Sequence, residues 1–307
     1  MQIPLEDRYI GSLLGLACGD AVGTSVEFCA RGSFPPVTDM LGGGPFSLPA
    51  GHWTDDTSMA LCLAESLCTQ GGFNARDQMG RYSNWWQWGY FSSTGDCFDI
   101  GMTTRDAIMR FMKTGDPYAG SNEPDTAGNG SLMRLAPIAL FFHPNKNDVI
   151  HFSGESSRTT HAAPEAIACC KLLGLTISKA LSGCSKEQVL EMLDQSFNEP
   201  KVAEIAAGIY KDKKRSEVFG SGYSVASLEA ALWCFHTTSD FESAVLTAAN
   251  LGDDADTTAA IVGQIAGAFY GASSIPKSWK DKLCMGSEIS GFAKSLYIHA
   301  KNRASNL

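Results

Sequence analysis

The chain has 307 residues, 44% hydrophobic and 19% charged, a balance that excludes a disordered or fibrous protein and leaves room for one large domain or two small ones. Its net charge of −9 speaks against a general nucleic-acid or membrane-surface binder, which would carry a basic face. Ten cysteines occur with no Cys-x-x-Cys pair, and Met1 to Arg8 has no basic region followed by an apolar run. Reduced, mostly buried thiols in a cytoplasmic protein are therefore expected, with Cys18, Cys62, Cys169, Cys170 and Cys234 inside apolar stretches.

In chain order, helical periodicity runs from Tyr9 to Val22, Thr57 to Leu67, Leu132 to Phe142, Pro164 to Leu181, Val225 to Phe235 and Phe241 to Ala249. The longest apolar run, Ala259 to Tyr270, is too short for a bilayer and reads as a central buried helix. Gly263, Gly267 and Gly271 fall on one face of it, where another helix can approach closely. Two loops, Gly42 to Asp56 and Thr114 to Gly130, are rich in glycine and polar residues and suit binding functions. The short basic cluster Lys211 to Arg215 reads as a solvated loop. Alternation with period two is almost absent, so the fold is expected to be all-α. No boundary or repeat divides it, so residues 1–307 are read as a single domain.

Two acidic segments lead directly into apolar helices: Trp53-Thr54-Asp55-Asp56-Thr57 and Gly252-Asp253-Asp254-Ala255-Asp256-Thr257-Thr258. Each could be an N-cap, where hydroxyls and carboxylates receive free backbone N–H groups. A cap needs one oxygen, however, and each segment offers several beside a helix that should be buried. Unpaired buried carboxylates are costly unless a cation neutralises them. Hard oxygens without histidine or cysteine suit Mg²⁺ or Mn²⁺ and disfavour zinc. If the segments meet, they supply enough ligands for two ions sharing a carboxylate.

Trp53-Thr54-Asp55-Asp56-Thr57 with Asp254-x-Asp256-Thr257 resembles the ADP-ribosylglycohydrolases, the ADP-ribosyl-acceptor hydrolases whose bacterial type is the dinitrogenase reductase-activating glycohydrolase. The resemblance extends from about Gly11 to Gly271. It takes in Gly19-Asp20-Ala21-Val22-Gly23 with Glu27, Cys97-Phe98-Asp99-Ile100-Gly101, Gly128-Asn129-Gly130-Ser131-Leu132-Met133-Arg134, Thr160-His161 and Gly222-Tyr223-Ser224-Val225. It implies an all-α fold of a dozen or so helices around a two-metal cleft, with Mg²⁺ or Mn²⁺ as cofactor. The implied reaction is hydrolysis of the bond between ADP-ribose and its acceptor. Carried over, the metal ligands are Thr54, Asp55, Asp56, Asp254, Asp256 and Thr257, with Asp55 and Asp256 as bridges. Asp253 stands where the pattern has a glycine, and Asp tolerates the left-handed conformation such a glycine would need.

Other residues carry two readings each. Glu27 alone reads as a solvated surface group, whereas the resemblance puts it near the scissile carbon, as catalytic acid or base. Asp99 is either a cap for a helix starting near Thr103 or a catalytic carboxylate facing the acceptor arginine. Asn129, Gly130 and Ser131, at an expected helix start, would bind pyrophosphate or ribose. Arg134 is either a phosphate partner or a brace holding that loop to the acidic residues, the brace being favoured. His161 alone reads as a capping or hydrogen-bonding residue before a helix, whereas the resemblance places it beside the ADP-ribose; Tyr223 is either a core aromatic or a ring stacked on the nucleoside. The substrate expected is an ADP-ribosylated protein, arginine being the favoured acceptor, or a small ADP-ribose conjugate. Serine, O-acetyl, poly-ADP-ribose or nucleobase linkages and a catalytically silent member are the rivals. Neither nucleic acid nor membrane is expected as partner, and a monomer is.

Overall fold

The structure is a computed structural model that describes residues 3–191 and 197–305; Met1 and Gln2, part of the Met1 to Arg8 segment read above, lie outside the described residues. These residues form fourteen α-helices and five short 3-10 turns. No strand occurs among them, only isolated backbone bridges. The all-α expectation holds.

The helices are α1 (Leu5–Gly23), α2 (Asp55–Gln70), α3 (Ala75–Trp88), α4 (Met102–Thr114), α5 (Ala136–Phe142), α6 (Lys146–Arg158) and α7 (Pro164–Leu181). There follow α8 (Lys186–Val189), α9 (Pro200–Ala206), α10 (Ser224–Thr237), α11 (Phe241–Ala249), α12 (Ala255–Tyr270), α13 (Lys277–Lys282) and α14 (Gly286–Ala304). Local chemistry explains many ends. The side chains of Asn74, Asn145 and Asp240 accept backbone N–H groups at the starts of α3, α6 and α11. Helices α2, α3 and α4 stop at Gly71, Gly89 and Gly115, each left-handed.

Helices α1 and α12 lie antiparallel at the centre. Gly11, Gly15, Gly19 and Gly23 of α1 meet Gly267, Gly263, Ala259 and Ala255 of α12. A Cβ on Gly15 would stand 2.2 Å from the Gly263 carbonyl oxygen, so the contact is backbone to backbone. The expected stripe on α12 is thus real at Gly263 and Gly267, and Gly271 continues it, since a Cβ there would stand 2.3 Å from Asp7 Oδ2 of α1. That residue, at φ +79°, also ends the helix. Ser12 Oγ donates to the Gln264 carbonyl oxygen, and Gln264 Nε2 donates to the carbonyls of Leu132 and Met133. Arg8 donates to the carbonyls of Ala180, Ala268 and Phe269, a cation at two helix C-termini. By length and composition Leu5–Val26 could cross a bilayer, yet 89% of its apolar window is buried inside this fold. Helix α14 covers α1, α2 and α5, while α7, α10 and α11 pack on α12.

Two local expectations are corrected. Helix α5 starts at Ala136, not Leu132, because the N–H groups of Leu132 and Met133 turn back to the Asn129 carbonyl. The basic cluster is only partly solvated: Lys213 pairs with Glu229, and Arg215 donates to the Asn250 carbonyl. The antiparallel pairing has one functional consequence. It brings the C-terminal end of α1, the N-terminal end of α12 and the first turn of α2 to the same place.

Candidate active site

The two acidic segments meet at that place. The Thr54 hydroxyl lies 3.3 Å from Asp56 Oδ2 and 3.2 Å from Asp256 Oδ2, and Thr257 Oγ1 lies 3.4 Å from Asp56 Oδ2. Neither Thr54 nor Asp254 caps its own helix with its side chain. The cap of α2 comes instead from Asp20 on α1. Its Oδ1 accepts from the N–H and hydroxyl of Thr54, both at 2.9 Å, and its Oδ2 accepts from the N–H and hydroxyl of Thr57, at 3.0 and 2.6 Å. Freed from capping, the oxygens of Asp55, Asp56, Asp254, Asp256 and Thr257 are available for something else.

The crowding is electrostatically severe. Burial first, then neighbouring carboxylates, raise Asp55, Asp56 and Asp256 well above the ordinary aspartate value. Burial also raises Asp254, against the Asn129 amide, which donates to Asp254 Oδ2 at 2.6 Å. Asp56 Oδ1 and Asp256 Oδ1 are buried without a hydrogen-bond partner. Among the described residues no ion pair reaches any of these carboxylates. The Thr54 hydroxyl has one hydrogen and three carboxylate oxygens within reach, so its lone pairs face anions. Orphaned buried carboxylate oxygens and threonine hydroxyls form a donor set that fits hard divalent cations.

A cleft of 970 Å³ opens above this floor. Glu27, Asp99 and Asp256 each place an oxygen within 4.8 Å of the others. Asp256 thus links the floor to the pair above it. Burial, then Asp99, Asp254 and Asp20, push Glu27 up to about 9; burial, then Asp20 and Asp254, push Asp99 up to about 7. Asp99 does not cap α4, whose N-cap residue is Gly101. It lines the cleft with φ +59°. Phe28 (φ +60°) and Asp253 (φ +57°) line the same cleft. Phe28 N–H donates to the Asp253 carbonyl at 2.7 Å, and Asp253 N–H to the Cys29 carbonyl at 2.8 Å. Three left-handed non-glycine residues around one cleft mark backbone strain held in place by its surroundings. Asp253 is conformational, as its glycine position in the motif suggests.

The remaining residues divide. Asn129, Gly130 and His161 line the cleft. A Cβ on Gly130 would stand 2.8 Å from the His161 ring, which explains the glycine. Burial, then Arg134, push His161 down to about 3, so its ring is neutral. Arg134 Nη2 donates to Thr160 Oγ1 at 2.7 Å, leaving that hydroxyl to donate to His161 Nδ1 at 2.9 Å. This network assigns the ring proton to Nε2. Arg134 also donates to the Gly130 carbonyl, so it braces the loop, but it touches none of the acidic residues. Ser131 is off the cleft: it is fully buried, with its hydroxyl on Ser157. Helix α5 does not begin there: the turn before it sends the N–H groups of Leu132 and Met133 to the Asn129 carbonyl, and the Asn129 N–H donates to the Gly222 carbonyl. Tyr223 is also off the cleft, its hydroxyl bonded to Glu165 and Lys201 and its ring packed on the core. Sequence reasoning gave no role to Asp20 or Phe28. Asp20 carries a signal, an acid inside an apolar helix; Phe28, 68% exposed, carries none.

Comparison with known proteins follows the same line. The family model described as ADP-ribosylglycohydrolase matches residues 1–306. The chain is 46% identical over 294 residues to the ADP-ribosylarginine hydrolase Tri1 of Serratia proteamaculans (strain 568), covering 96% of this chain and 80% of that protein. It is 33% identical to the ADP-ribosyl-[dinitrogen reductase] glycohydrolase of Rhodospirillum rubrum, covering 92% of each. Among solved structures, an ADP-ribosylglycohydrolase-related protein complex superposes with TM-score 0.86 at 41% identity, covering 96% of this chain and 99% of that one.

Proposed function

The chain belongs to the ADP-ribosylglycohydrolase family, and from that premise we propose that it hydrolyses the N-glycosidic bond between ADP-ribose and an arginine side chain of a modified protein. The observation that carries this reading is the convergence of Glu27, Asp99 and Asp256 in the cleft. The arginine hydrolases to which the chain is similar support the choice of acceptor.

Thr54, Asp55, Asp56, Asp254, Asp256 and Thr257 would hold two divalent cations, Mg²⁺ or Mn²⁺, which when bound supply Lewis-acid polarisation and orient hydroxyl groups. Asp55 and Asp256 would be the ligands common to both cations, and Asp256 faces both the Thr54 hydroxyl and the Glu27–Asp99 pair. Asp99 receives the guanidinium. A desolvated carboxylate whose ionised form is disfavoured gains most from an arriving cation, and the planar fork matches its two oxygens. Cations beside it would bring the Glu27 carboxyl down from its raised value to the ionised form, and that carboxylate takes a proton from the attacking water as the water oxygen bonds to the ribose anomeric carbon. The carbon–nitrogen bond breaks, its electron pair stays on the guanidine nitrogen, and the proton follows to that nitrogen. His161, as the Nε2–H tautomer, donates a hydrogen bond to bound substrate, and Asn129 holds Asp254 in place.

One large hydrophobic core running from Tyr9 to Ala300 supports reading the chain as one catalytic domain. Ten cysteines with no disulfide among them support a cytoplasmic location. The deciding experiment offers ADP-ribosyl-arginine peptide, ADP-ribosyl-serine peptide and O-acetyl-ADP-ribose, each with Mn²⁺ or Mg²⁺ and again after chelation. The arginine conjugate is released fastest, and only with metal. Preference for the serine or acetyl substrate overturns the acceptor, and full activity after exhaustive chelation overturns the metal centre.

A further inference from the structure

We propose that Asp20 is a positioning residue: its buried carboxylate sets the first turn of α2, and with it Thr54, Asp55 and Asp56, against the ligands carried by α12. The inference rests on the metal reading given above and extends it to a residue outside the ligand set.

Four observations carry it. Asp20 is fully buried within the apolar helix α1. All four of its hydrogen bonds go to Thr54 and Thr57, the residues flanking Asp55-Asp56, so it grips the ligand pair from both sides. No ion pair among the described residues involves it, so a helix turn is all it holds. Finally, its neighbour Gly19 touches the backbone of α12, where an added Cβ would stand 2.1 Å from the Ala259 carbonyl oxygen. Helix α1 is therefore locked to the helix that carries Asp256 and Thr257. Asp20 transmits that fixed position to α2, and the two halves of the cation site are set relative to each other through it.

An Asn at position 20 would keep one acceptor oxygen but turn an NH₂ group toward the donors of Thr57. It would also remove a negative charge, which by itself weakens cation binding. The Thr57 hydroxyl separates the two effects. Thr57→Val removes one of the four bonds and leaves the Asp20 charge in place. Thr57→Ser keeps the bond. Ser12→Ala serves as a stability control, since Ser12 joins α1 to α12 through the Gln264 carbonyl and lies outside the ligand segments.

The test titrates each full-length protein with Mn²⁺ alone, reading free Mn²⁺ by electron paramagnetic resonance, and records thermal unfolding without metal. Wild type binds, and Asp20→Asn and Thr57→Val bind at least ~10-fold more weakly. Thr57→Ser stays within about twofold of wild type. Ser12→Ala loses thermal stability but keeps its affinity. If Asp20→Asn fails to fold, Thr57→Val decides. Wild-type affinity in Thr57→Val overturns the inference, and with a weakened Asp20→Asn it leaves Asp20 a charge effect only. A wild type that binds no Mn²⁺ overturns the metal reading, and this inference with it.

Discussion

Asp256 joins more of the site than any other residue, since it faces the Thr54 hydroxyl on one side and the Glu27–Asp99 pair on the other. Asp256→Ala should reduce turnover at least ~100-fold and weaken Mn²⁺ binding, because a shared ligand supports both ions. The variant should still fold, since one buried anion fewer relieves repulsion among acids already driven toward their protonated forms. Circular dichroism, metal titration and single-turnover rates check the three parts; normal turnover with metal bound would remove Asp256 from the shared position. Asp99 gives a different signature. An Asp–guanidinium contact contributes about 1.5–3 kcal/mol, so Asp99→Asn should lower kcat/KM on ADP-ribosyl-arginine roughly ten- to a hundredfold. A serine ether or acetyl ester carries no cation and should lose little. Equal loss on all substrates would make Asp99 a general catalytic group and sink the acceptor assignment.

The α1–α12 pair is the element on which the site stands. A Cβ at position 15 meets the Gly263 carbonyl oxygen at 2.2 Å, and neither helix can yield without moving the Asp20 end of α1 or the Asp256 end of α12. Gly15→Ala should therefore cost about 2–4 kcal/mol in urea unfolding. Gly80 provides the contrast. It lies inside α3 with nothing within 4 Å of an added Cβ, so Gly80→Ala should stabilise by roughly 0.5–1 kcal/mol through backbone entropy alone. Equal unfolding midpoints for the two variants would contradict the backbone-contact account. Helix patterning is legible in the sequence: apolar periodicity predicts α7 and α11 at their observed limits, Pro164–Leu181 and Phe241–Ala249. The start of helix α5 is not, since the pull of Asn129 on the following N–H groups is a loop contact that apolar periodicity does not register.

Across the whole molecule, two linkages are measurable. The His143 ring is buried and pushed down to about 4 by desolvation. The unfolded chain, with an ordinary histidine near 6.5, therefore binds the extra proton between these values. The stability His143 confers is complete above pH ~6.5 and is lost as the pH falls toward 4, on the order of 2–3 kcal/mol. In His143→Asn the unfolding free energy should fall less steeply than in wild type over that window, the carboxylate contribution cancelling in the comparison. Parallel pH profiles for the two proteins would contradict this. The second linkage is to cation: Mn²⁺ at a hundred times its dissociation constant should add about 2.7 kcal/mol per site to the unfolding free energy. A chelator should reverse the shift in melting temperature, and an unchanged melting temperature would argue against a site built in the folded state.

The sequence by itself determined the fold class, the buried cysteines and the family, because apolar periodicity and short ordered motifs are properties of contiguous residues. It also marked Asp253, since a glycine position in a motif is a statement about one residue's backbone. Whether the Thr54–Asp56 and Asp254–Thr257 segments meet depends on α1 and α12 packing antiparallel, glycine against glycine, and no local pattern encodes that pairing. The cap of α2 likewise comes from 34 positions away in the chain, where Asp20 takes the role that the local pattern assigned to Thr54. Ser131 and Tyr223 share motifs with cleft residues, yet their side chains point to Ser157 and Glu165. Neighbours in sequence share a backbone path but not a side-chain direction, and only tertiary packing decides which of them face the cleft.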